Sequence, residues 1–177
     1  MPQFRSERAL LRAAASALAV TFTVACSTPQ SNAAVRTADA SDAPAVNAAA
    51  GPAENDTIVV YKSPTCGCCA KWVDHLKENG FHVEARDMMD VAPIKADLGV
   101  PGHLESCHTG VVNGYAVEGH VPADVIVRLL RERPKVAGIA VPGMPMGSPG
   151  MEGPRSEPYD IVAFEADGDT RVYESRR

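Results

Sequence analysis

Residues 57–173 alternate short β-branched runs with amphipathic stretches, and the order of those runs predicts the fold. Ile58-Val59-Val60-Tyr61 reads as a buried strand that Pro64 and Thr65 end. Residues 66–79 read as a helix with Trp72, Val73 and Leu76 on one face and Gly80 as its stop. Phe81-His82-Val83-Glu84-Ala85 alternates as a second strand, and a short helix around Pro93 runs from Ile94 to Gly99. Asn113-Gly114, set between Val111-Val112 and Tyr115-Ala116-Val117, is the strongest short hairpin signal available. Pro122 starts a helix through Val125, Ile126, Leu129 and Leu130 that Pro134 terminates. Residues 161–164 and 170–173 flank Asp167-Gly168 as a second hairpin. The order β, α, β, α, β-hairpin, α is that of an α/β, thioredoxin-like domain, a mixed sheet with flanking helices. The last hairpin lies outside that minimum and either extends the sheet or covers the site.

The pattern is absent before residue 57. Arg5, Arg8 and Arg12 precede an apolar run over residues 13–25, too short for a comfortable membrane span and laid out like a secretory signal. The run ends Thr23-Val24-Ala25-Cys26-Ser27, which resembles a bacterial lipoprotein processing site with Cys26 as the lipidated residue, although Thr23 stands where Leu is usual. Residues 1–25 are therefore expected to be a signal peptide and 57–177 the folded domain. Residues 26–56, rich in Ala, Ser and Pro, bury too little surface to offset their ordering entropy and read as a tether. Export to the periplasm, with membrane attachment only through a lipid anchor, follows as the expectation.

Composition narrows the function. Lys+Arg number 17 against 22 Asp+Glu, a net charge of -5, which argues against a nucleic-acid binder, since that would show a basic stripe. Aromatic residues are 5% of the 177, so the core falls to Val, Ile, Leu and Ala.

The chemistry is concentrated in sulfur. Setting Cys26 aside, Cys66, Cys68, Cys69 and Cys107 remain in the domain. Cys66 and Cys69 have the C-x-x-C spacing of a thiol–disulfide oxidoreductase, and a helix N-terminus favours thiolate over thiol. Cys68 is surplus to that chemistry. In the expected topology, the loop Ser106-Cys107-His108-Thr109 approaches the first turn of the cysteine helix and adds a fourth sulfur. Two structural disulfides are disfavoured because Cys68 and Cys69 are neighbours. Four converging thiols are more naturally a metal nest, and thiolates select soft ions. Three ligands at i, i+2 and i+3 fit poorly on one tetrahedral zinc but can bridge several Cu(I) ions. Zinc or an iron–sulfur cluster suits the site less well.

Other donors are weaker candidates. His108 adjoins Cys107, and His120 follows in Glu118-Gly119-His120-Val121-Pro122, so both are weighed as ligands against ordinary loop or capping roles. His75 and His82 read as surface or packing residues, and Met88-Met89 as packing. Met144, Met146 and Met151 occupy a Pro- and Gly-rich loop; their thioethers bind Cu(I), but core packing explains methionine equally well.

Tyr61-Lys62-Ser63-Pro64-Thr65-Cys66-Gly67-Cys68-Cys69, Ser106-Cys107-His108-Thr109, Gly114-Tyr115, Glu118-Gly119-His120-Val121-Pro122 and the methionine loop together resemble the CopG-like family, also called domain of unknown function 411. The resemblance implies an exported thioredoxin-like domain found with bacterial copper-resistance systems. It implies that Cys66, Cys68, Cys69 and Cys107 are metal-binding groups, with copper ions and other periplasmic copper-handling proteins as partners. Copper storage, delivery and redox conversion stay open, and with them whether the protein is an enzyme acting through Cys66 and Cys69.

Overall fold

The structure is a computed structural model that describes residues 51–53 and 56–177. The expected signal peptide, Cys26 and nearly all of the tether lie outside the described residues.

Strand β1 (Thr57–Lys62) leads into helix α1 (Gly67–Glu78) and strand β2 (His82–Asp87), which returns parallel to β1 with Ile58 beside Val83. Helix α2 (Ala92–Asp97) and a 3-10 turn (Gly102–Leu104) precede the hairpin of β3 (His108–Val112) and β4 (Tyr115–Glu118). The hairpin turns at Asn113-Gly114, both at positive φ, the conformation that Asn-Gly tolerates and most pairs do not. Helix α3 (Ala123–Glu132) then crosses to β5 (Gly138–Ala140), which pairs parallel with β4. Finally β6 (Tyr159–Phe164) and β7 (Thr170–Arg176) form a hairpin that joins through β6 to β5. The result is an α/β fold with a mixed seven-stranded sheet in the order β2-β1-β3-β4-β5-β6-β7.

Side chains alternate across the pleat, so each strand feeds two different layers. Val117, Ile139 and Ala163 join Trp72, Leu76, Ile126 and Leu129 in the main core, formed with α1 and α3. Their neighbours Ala116, Ala140 and Phe164 enter a smaller cluster on the opposite face, closed by Val100 and Leu104. The core is mostly aliphatic, as the low aromatic content requires, with Trp72 as its largest fully buried side chain.

Three expectations change. The third strand starts at His108, not Val111, because residues 108–111 pair with β1, from Lys62↔His108 to Val59↔Val111. Strand β5 was not expected; it is three residues long, below what periodicity can register, and its place is set by partners on both sides. Met89 does not pack: it is 86% exposed at the exit of β2. The C-terminal hairpin extends the sheet, and the segment between β5 and β6 carries the methionine loop towards α1.

Candidate metal centre

Cys66 caps α1 with its own sulfur, accepting the backbone N–H of Cys69 at 3.3 Å. That places residues 66–69 on the first turn of the helix, where free N–H groups and the helix dipole favour anionic sulfur. Cys66 and Cys69 are joined as a disulfide, with Cα atoms 5.3 Å apart, while Cys68 and Cys107 are free thiols. The second arm comes from the start of β3. Cys107 Sγ lies 3.4 Å from Cys69 Sγ and 3.9 Å from Cys68 Sγ, and Cys68 Sγ lies 3.5 Å from Cys66 Sγ. The four sulfurs lie within 4.8 Å of one another, close enough to hold metal once the disulfide is reduced.

Both histidines weighed from the sequence lie beside Cys107. His108 Nδ1 lies 3.4 Å and His120 Nε2 3.5 Å from Cys107 Sγ, and these three atoms form a second group able to hold an ion. The His120 Nδ1–H donates to the Pro149 carbonyl at 2.8 Å, which leaves Nε2 as a lone pair facing the sulfur. His108 is fully buried against Trp72, ring centres 4.4 Å apart, and edge-on to His120 at 4.9 Å. Trp72 is held in turn by its indole N–H donating to the Val121 carbonyl at 2.8 Å.

The electrostatics suit ligands in their neutral, metal-free form. Burial, reinforced by the positive charge of neighbours, drives the His108 pKa down to about 3, and burial lowers that of His120. Both rings therefore stay neutral with a lone pair available. Burial, and then the adjoining Cys68, push the Cys107 thiol up to about 11, so an incoming ion must displace its proton.

The methionine loop closes one side. Gly150, at φ +84°, lies so near α1 that a Cβ there would meet the Cys68 carbonyl at 2.7 Å and the Trp72 backbone nitrogen at 3.0 Å. Met146 and Met151 line an open cavity of about 360 Å³ beside Cys68, with Lys71 and Glu152 at its margin. Met144 is 52% exposed and is not among the residues lining that cavity. Of the remaining histidines, His103 and His82 are exposed, whereas half-buried His75 accepts the Ala123 N–H at 3.1 Å and ties α1 to the start of α3.

Sequence reasoning missed the polar network behind Cys107. Lys95 and Glu118 form an ion pair in the interior, and Thr109 and the Ser106 N–H join it. A lysine on a short helix carries no signal of burial, and Glu118 was visible only as part of the Glu118-Gly119-His120 motif.

A family model described as "Protein of unknown function, DUF411" matches residues 104–151, which span Cys107, both site histidines and the methionine loop. A solved structure described as "Copper resistance protein copG- Form 2" is 46% identical, covers 69% of this chain and 98% of its own, and superposes with a TM-score of 0.66. A second, "Copper resistance protein copG- Form 1", is 47% identical over 68% of this chain and 96% of its own, with a TM-score of 0.64. No curated protein matches. With nearly the whole of two solved relatives covered at this identity, the chain belongs to the CopG-like DUF411 family.

Proposed function

We propose that this protein binds copper, as Cu(I) held by Cys66, Cys68, Cys69 and Cys107 in a multinuclear thiolate site, and serves copper tolerance. The observation that carries the reading is the meeting of four sulfurs from two separate arms within 4.8 Å. A purely sulfur donor set selects a soft ion, and each thiolate can bridge two Cu(I) ions. Copper resistance in the description of two relatives points the same way. Two of the sulfurs share a bond, so full ligation first requires a two-electron reductant, such as a dithiol that is itself oxidised to its disulfide, to open it into two thiolates. His108 and His120 stand beside Cys107 as further donors, and Met146 and Met151 offer thioethers at the cavity beside Cys68.

Anaerobic reconstitution of the reduced protein with Cu(I) is expected to give more than one copper per chain. Unchanged copper retention after all four cysteines become Ser would sink the reading.

A second reading is favoured by the Cys66–Cys69 disulfide at the start of α1. It makes the protein a thiol–disulfide or copper oxidoreductase, with Cys66 as nucleophile and Cys69 as resolving thiol. The sheet order β2-β1-β3-β4, with β1 and β2 parallel and β3 antiparallel, supports a thioredoxin-like assignment compatible with both readings. Cys68→Ser separates them: insulin disulfide reduction survives in an oxidoreductase, whereas copper stoichiometry falls in a thiolate cluster.

The basic and apolar layout of residues 1–25 supports export to the periplasm, with Cys26 as the lipid anchor. Cys26→Ala is then expected to move the protein from the membrane fraction to the soluble one.

A further inference from the structure

The copper reading accounts for the sulfurs and not for the charge buried behind them. Lys95 and Glu118 side chains are 3% and 0% exposed, yet a buried ion pair is often no more stabilising than apolar residues of similar volume. Its geometry points to another use. One carboxylate oxygen of Glu118 accepts the Ser106 N–H and the Lys95 ammonium, and the other accepts the Thr109 hydroxyl at 2.6 Å. The Lys95 ammonium also donates to Thr109 at 2.9 Å. Glu118 therefore grips residue 106 and residue 109, the two ends of the segment that carries Cys107 and His108. Its own carbonyl accepts the Val141 N–H at 3.0 Å, where the chain sets out towards the methionine loop. Only an acceptor-only group can take three donors here; an amide has a single oxygen to offer.

We infer that Glu118, oriented by Lys95, is the positioning residue of the metal site. It holds the Cys107 arm at bridging distance from the thiols of α1. The inference rests on the copper reading for its purpose but not for its geometry. Without metal, Glu118 sets the 3.9 Å separation between the two free thiols, Cys68 and Cys107. With metal, the same restraint sets affinity, because sites tolerate only about 0.5 Å of misplacement.

The test is the apolar pair Lys95→Met with Glu118→Leu, which leaves no charge stranded. In the metal-free disulfide form, Cys68 and Cys107 are cross-linked with dibromobimane, and the thermal midpoint is recorded. The reduced protein then competes with bathocuproine disulfonate for Cu(I). A positioning role predicts a midpoint near that of the parent, a several-fold lower cross-linking yield, and Cu(I) affinity weaker by about 10- to 100-fold, the usual cost of losing an outer-shell partner. Parent-like cross-linking and affinity overturn the inference, whatever the midpoint. Should the double variant fail to fold, Lys95→Met with Glu118→Gln keeps the volume, strands no charge and decides the question: cross-linking yield must fall, and an unchanged yield overturns the inference. Failure of the parent to bind Cu(I) defeats the copper reading alone, because cross-linking needs no metal.

Discussion

Gly150 is the point at which the methionine loop touches the cysteine helix. Its φ of +84°, and the 2.7 Å at which an added Cβ would meet the Cys68 carbonyl, leave no room for a side chain. Gly150→Ala is expected to cost about 1–3 kcal/mol in backbone strain, to lower the thermal midpoint, and to speed alkylation of Cys68 as the loop lifts. An alkylation rate equal to the parent's would show that the loop does not shield that thiol. At this scale the sequence was informative where chemistry is carried by residue type: the thiols and the adjoining histidines were legible because few side chains share their donors. Lys95 and Glu118 were not, because charge alone is the common mark of a solvated surface and only packing takes it inside.

Helix α1 shows how much an element inherits from its own residues. Trp72, Val73 and Leu76 face the core and Gly80 follows the end, as their spacing requires. To the apolar packing against α3 it adds a hydrogen bond from His75, whose neutral ring accepts the Ala123 N–H and whose pKa burial lowers from 6.5. The sign follows directly: a group with a depressed folded pKa contributes stability above its unfolded pKa and loses it as pH falls through the folded value. The metal-free protein should therefore become easier to unfold with denaturant below about pH 6.5, the ordinary value for histidine. His108, also neutral and buried, acts in the same direction. His75→Gln supplies an acceptor without a titration, and it should make unfolding less pH-dependent between pH 7.5 and pH 5.5. An unaltered pH profile would remove His75 from the account. The start of β3 was less legible, because nothing local in Ser106-Cys107-His108-Thr109 announces pairing with β1. The strand begins where a partner from earlier in the chain supplies the ladder.

Across the whole molecule, the short strand β5 joins the β1–β4 portion of the sheet to the C-terminal hairpin. It works because Gly138 lets β4 and Phe164 approach closely: a Cβ there would meet the Ala116 carbonyl and the Phe164 ring. Phe164 fills the smaller cluster with Val100 and Leu104. Phe164→Ala should lower stability by about 3–5 kcal/mol, read as a fall in denaturation midpoint, and a loss under about 1 kcal/mol would mean that the cluster bears little of the fold. The sequence by itself determined the elements with a strong period or turn, the α/β class, and the crowding of three thiols on one helix start. Those properties are local, written in residue type and in spacings of two to four. Tertiary structure alone decided the rest. It fixed the distances at which Cys107, expected near the helix from the topology, meets the other thiols and His108 and His120, laid Met146 and Met151 beside Cys68 but not Met144, and turned a surface-like lysine and glutamate into an internal clamp. Contacts between distant segments depend on how elements pack, and no short window of the chain records that.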